Sequence, residues 1–82
     1  MIKVLFFGRI ADLMTQRELT LDIPASGLML MAMRDQIFAS LIADGQVNIQ
    51  ALRMSVNQVV VSDDQPLNSG DEVAFFSLFS GG

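Results

Sequence analysis

The sequence predicts an α+β fold, a mixed sheet laid over one long helix, and three observations carry that prediction. Strand-like runs lie on both sides of a single helical stretch near the middle of the chain. These runs are short and rich in Val, Ile and Phe, and one of them alternates apolar with charged or hydroxylated residues. Hydrophobic residues fill 51% of 82 positions, which is enough for one core and too little chain for two.

Residues 2–7 open the chain with Ile, Val and two Phe, bounded by Gly8, and read as a buried strand. Residues 9–14 fit a short helical turn. Leu19, Leu21 and Ile23 then alternate with Glu18, Thr20 and Asp22, the pattern of a half-buried strand that stops at Pro24. Ser26 is placed to cap a helix over residues 28–42, closed by Asp44-Gly45. Leu30, Met33, Ile37 and Leu41 recur at steps of three or four and form its buried stripe. Met29, Met31 and Phe38 fall partly off that stripe; they either broaden the core face or offer a partner surface. Residues 53–56 and 59–61 are short strands separated by a turn at Asn57-Gln58. Asp63-Asp64-Gln65-Pro66 and Asn68-Ser69-Gly70-Asp71 are turn chemistry, and residues 72–76 form the last strand.

The composition excludes whole classes of chemistry. There is no Cys, so disulfides, thiolate nucleophiles and iron–sulfur clusters are out, and no His, the commonest general base and transition-metal ligand. Net charge is −4 and the five cations are scattered, which argues against a nucleic-acid surface. The longest apolar stretch, residues 28–33, is far short of the ~20 residues a membrane helix needs. With no basic leader before the first strand, the expected location is cytoplasmic.

Few internal residues are equipped for catalysis. Asp63-Asp64 and Asp71-Glu72 are the only carboxylate-rich region, and both pairs sit where turns and strand starts favour acids anyway, so they read as structural or rim-forming. The glycines form no phosphate loop, and no metal site or bound cofactor is expected. The end of the sequence is different. Gly81 and Gly82 lack Cβ atoms and make a thin thread able to enter a narrow channel, although an ordinary frayed end would look the same.

Taken together, these pieces resemble a known family. Met1-Ile2-Lys3-Val4-Leu5-Phe6-Phe7-Gly8-Arg9 is similar to the opening strand of the small subunits of molybdopterin synthase, of the ThiS/MoaD ubiquitin-like family. Val56-Asn57 before Val59-Val60-Val61 resembles that family's Val-Asn dipeptide and following strand. Leu67-Asn68-Ser69-Gly70-Asp71-Glu72-Val73-Ala74 resembles its Leu-x-x-Gly-Asp-Glu-Val-Ala signature, and Ser80-Gly81-Gly82 its end. The resemblance covers the chain in order. It implies a β-grasp domain over residues 1–76 and a tail of residues 77–82 that carries the reactive glycine.

The resemblance also implies the chemistry. An E1-like adenylyltransferase spends ATP to adenylate the Gly82 carboxylate, and a sulfur donor system converts the acyl-adenylate to a thiocarboxylate. The tail, with Phe79, Ser80 and Gly81, then enters the large catalytic subunit of a heterotetrameric synthase. There it gives its sulfur to cyclic pyranopterin monophosphate. A carrier of this kind has no active site of its own and needs neither Cys nor His. The period-two pattern puts Phe7 and Phe76 on the sheet face away from the helix, with Val60, and the resemblance implies that partners dock there. Two departures stand out: the family often has Pro-Pro-Val where this sequence has Ser77-Leu78-Phe79, and the helix is unusually Met-rich, in Met29, Met31 and Met33. A carrier for thiamin or another sulfur pathway, a ubiquitin-like modifier and a plain interaction module remain alternatives.

Overall fold

A computed structural model describes residues 1–77 of the 82. The elements run β1 (Ile2–Phe6), α1 (Gly8–Met14), β2 (Glu18–Leu21), α2 (Leu30–Ala43), β3 (Leu52–Val56), β4 (Val59–Val61) and β5 (Glu72–Ser77). The strands form one five-stranded sheet in the order β2-β1-β5-β3-β4. Among the described residues only β1 with the central strand β5 is parallel; every other neighbouring pair is antiparallel. The order of strands and helices is the one expected from the sequence.

Alternation along the strands sorts the two faces. Ile2, Val4, Phe6, Val73 and Phe75 are at most 2% exposed and face α2, as the period of two requires. Three phenylalanines make the centre: Phe38 of α2 meets Phe75 edge-on at 4.9 Å between ring centroids and Phe6 at 6.0 Å. Each ring buries apolar area worth roughly 1.5–3 kcal/mol, and such edge-on pairs add about 0.5–1.5 kcal/mol.

Phe38, which the sequence put partly off the buried stripe, broadens the core face and does not join a partner surface. It is fully buried, whereas Ile37 and Leu41, assigned to the stripe, are half-buried. A Phe at the flank of the stripe reaches further toward the sheet than the branched side chains at its centre.

The start of α2 is a second correction. Ser26 does not cap the helix; it lies in a turn closed by the Gly27 N–H donating to the Pro24 carbonyl at 2.8 Å. The chain then pairs with the segment before β5: Leu67 N–H donates to the Leu28 carbonyl and Leu30 N–H to the Gln65 carbonyl. The helix begins only at Leu30, after Met29, which offers no side-chain cap. Its exposed first turn is satisfied from a distance. Asp64 Oδ1 accepts the Met31 N–H at 2.8 Å and the Gln65 N–H at 3.0 Å. A carboxylate here satisfies an orphan N–H and meets the positive end of the helix dipole. Asp64 is thus a cap contributed from another turn.

Candidate functional site: the open sheet face and the end of β5

The pairing register lays out the face that α2 leaves open. One row crosses the whole sheet: Glu18, Leu5, Ala74, Ser55 and Val60. The next row sets Phe76 opposite Arg53, with Phe7 alongside, because the Phe7 N–H continues the parallel ladder to the Phe75 carbonyl at 3.1 Å. On the other side Lys3 lies between Thr20 and Glu72. The structure therefore brings Phe7, Val60 and Phe76 to one face. Phe7 is 51% and Val60 66% exposed, while Phe76 is half-buried.

Period-two alternation already put Leu5 with Phe7 and Ala74 with Phe76 on this side, but the sequence reading did not include Ser55 or Arg53 in the face. Lateral neighbours depend on strand order, which periodicity does not encode. Ser55 and Ala74 are small, so the centre of the face is shallow between larger side chains. An apolar surface with mixed charges at its margin has the composition of a docking patch.

β5 sits between β1 and β3 and ends at Ser77, paired with Leu52. Beside that end a groove of about 460 Å³ opens between α1 and the segment after α2, lined by Ile10, Leu13, Val47 and Leu52 with Arg9 and Ser77. Residues 78–82 follow, so the expected roles of Phe79, Ser80, Gly81 and Gly82 lie outside the described residues.

The Asp71-Glu72 pair is held as a clamp. Asp71 Oδ2 accepts the Asn68 N–H at 2.8 Å and its Oδ1 accepts the Asn57 side-chain amide at 3.0 Å. Asn57 in turn accepts the Glu72 N–H through its side chain at 2.9 Å and donates its own N–H to the Glu72 carbonyl at 2.7 Å. The Asn68 N–H first, and the Asn57 amide second, hold the Asp71 carboxyl below its ordinary value. This pair locks the β3–β4 turn onto the start of β5. Among the described residues no group of three or more acidic side chains is arranged to hold a metal ion, and no helix is long and apolar enough to cross a membrane.

Comparison with known proteins agrees in both sequence and fold. The ThiS family matches residues 4–82. The molybdopterin synthase sulfur carrier subunit of Escherichia coli (strain K12) is 40% identical over 86 residues, covering 100% of both chains. Two crystal structures share the fold. SAMP1 from Haloferax volcanii has a TM-score of 0.75 and 18% identity over 99% of this chain and 98% of its own. Small archaeal modifier protein 1 from the same organism gives 0.72 and 16%, over 93% and 94%.

Proposed function

The chain belongs to the ThiS family, a β-grasp fold, and from that membership we propose that it is the sulfur-carrier subunit of a cytoplasmic molybdopterin synthase. The observation that carries the reading is the end-to-end match, at 40% identity, to a protein named for that role. The geometry supports it in two ways. The open face offers Phe7, Val60 and Phe76 to a partner, and the strand that leads to the glycines is the central one of the sheet. A tail anchored in a central strand starts from a fixed point, which helps it enter a channel in register.

A free carboxylate is a poor electrophile. In the proposed cycle a Gly82 carboxylate oxygen attacks the α-phosphorus of ATP on an E1-like adenylyltransferase, and pyrophosphate leaves. The resulting mixed anhydride is attacked at its carbonyl carbon by sulfide-level sulfur, released as hydrosulfide by a donor system; AMP departs with the bonding pair, the sulfur loses its proton, and a thiocarboxylate remains. The large catalytic subunit then directs that sulfur to cyclic pyranopterin monophosphate. The carrier itself contributes docking and reach.

The test is extension of the chain by one residue beyond Gly82. The addition moves the carboxylate by up to ~3.6 Å, and misplacement of even ~1 Å can cost about a hundredfold in an adenylation site. ATP–pyrophosphate exchange with the cognate activating enzyme should collapse, and intact mass should show no exchange of oxygen for sulfur, with the melting temperature unchanged. An extended variant that is adenylated and sulfurated like the parent refutes the carrier reading. Isopeptide-linked products from the parent would assign it to protein modification instead.

A further inference from the structure

The free edge of β4 is the second unusual surface, adjoining the open face at Val60, whose side chain belongs to that face and whose backbone belongs to the edge. Among the described residues β4 ends the sheet and pairs only with β3. It consists of three valines, of which Val59 and Val60 are 63% and 66% exposed. Val59 belongs by parity to the core side, yet the core leaves it uncovered. Nothing in the strand blunts the edge, neither Pro nor Lys nor an inward charge.

The backbone of Val60 faces outward. Asn57 and Gln58 have φ of 51° and 71°, the two positive values of a type I′ turn, so Val56 and Val59 close the hairpin as a hydrogen-bonded pair. Pairs alternate in an antiparallel ladder, which makes Ser55 and Val60 a non-bonded pair whose polar groups point away from each other. Those of Ser55 point toward β5, consistent with the Asn57 N–H two residues on, which donates to the Glu72 carbonyl. The Val60 N–H and C=O point off the sheet, and no described residue meets them.

Charge identifies the partner. Up to Arg53 the five cations are balanced by five acids, and from Met54 onward there are four acids and no cation, so the whole net charge of −4 lies in the later part of the chain. Within the fold these acids bracket β4. Asp63 and Asp64 follow its last residue, while Asp71 and Glu72 are clamped to Asn57 at its turn. Like charge disfavours a second copy of this chain on the edge, and opposite charge favours a basic partner.

We propose that β4 is a strand-addition site that takes up an extended segment of a partner protein, apolar at its centre and carrying Lys or Arg on both flanks. Main-chain hydrogen bonds to Val60 supply the pairing, and the flanking acids select the charge. The inference does not depend on sulfur transfer.

The test uses the full-length chain, uniformly labelled with 15N, titrated with the synthetic peptide Lys-Lys-Thr-Val-Thr-Arg-Lys and with its counterpart in which every Lys and Arg is Glu. The basic peptide should slow hydrogen exchange of the Val60 amide at least about tenfold at saturation, because that N–H gains a protein acceptor. The acidic peptide should bind at least about tenfold more weakly at low salt, and the gap should narrow as salt is raised. Val60→Pro removes only an outward N–H, the placement that edge strands tolerate, and should weaken the basic peptide about tenfold. Val60→Thr keeps that N–H and should bind within about twofold of the parent. If Val60→Pro does not fold, Asp63→Lys serves in its place and should narrow the gap between the two peptides severalfold. Three results overturn the proposal: no binding of the basic peptide at about millimolar concentration, equal binding of both peptides, or shifts confined to Phe7 and Phe76 with Val60 unprotected. Protection of Val60 that appears on concentrating the protein alone would assign the edge to self-pairing and overturn it as well.

Discussion

Replacing Asp64 with Ala should destabilise the fold although the residue is exposed and far from the core. The loss has two parts. The carboxylate accepts the Met31 N–H at 2.8 Å, and deleting a side-chain cap costs about 0.5–2 kcal/mol, typically near 1. Its charge also meets the N-terminal end of α2, worth about 0.3–1 kcal/mol at an exposed site. Among the described residues no other side chain caps that turn, and Met29 offers no side-chain cap. The sum is about 1–2 kcal/mol for Asp64→Ala, which lowers the melting temperature of a domain this size by roughly 4–8 °C per kcal/mol. Asp64→Asn keeps an acceptor oxygen and loses only the charge, so it should cost less than half as much and lose its deficit in high salt. Urea unfolding of the three proteins at low and high salt separates the two parts. A cost below about 0.3 kcal/mol for Asp64→Ala, or equal losses for Ala and Asn, would refute the assignment of Asp64 as the cap.

Phe76→Ala should leave the fold intact, since Phe76 is half-buried on the open face, and should weaken binding to the large catalytic subunit by about 2 kcal/mol, some thirtyfold, if it is a docking anchor. Calorimetry checks this, and an unchanged Kd removes the open face from the interface. Asp71, whose folded carboxyl titrates below its ordinary value, contributes stability that is fully present above the unfolded pKa of about 3.9 and is lost as pH falls through the folded value. Parent and Asp71→Asn should therefore differ in urea midpoint near neutrality and converge in acid; a gap that persists at the lowest pH contradicts the clamp.

Local rules made the strands legible. Ile2, Val4 and Phe6 announce their face by alternation, and the turn residues Asn57 and Gln58 fall where the hairpin needs positive φ. Long-range pairing was not legible. Ser26 has the chemistry of a cap, but the Leu28–Leu67 and Leu30–Gln65 hydrogen bonds hold the chain extended past it and hand the role to Asp64, thirty-three positions away from Met31. Phe38 looked peripheral on a helical projection because such a projection ignores side-chain length. The candidate face was half legible: Phe7, Val60 and Phe76 follow from parity, as does Ala74, whereas Arg53 and Ser55 join it through the sheet order alone.

That sheet order has a consequence for the newly made chain. β5 separates β1 from β3, so the hairpin of β3 and β4 has no hydrogen-bonded contact with β1 and β2 until β5 is inserted between them. Both halves can be fully translated and still be two unattached fragments of sheet. The core closes only when Val73 and Phe75 have left the ribosome, which are also the residues next to the segment that leads to Gly81 and Gly82. A ribosome that stops short of β5 releases a chain unable to complete its core and exposed to proteolysis. One that reaches Ser77 and stops has made every strand of the sheet but none of the glycine end.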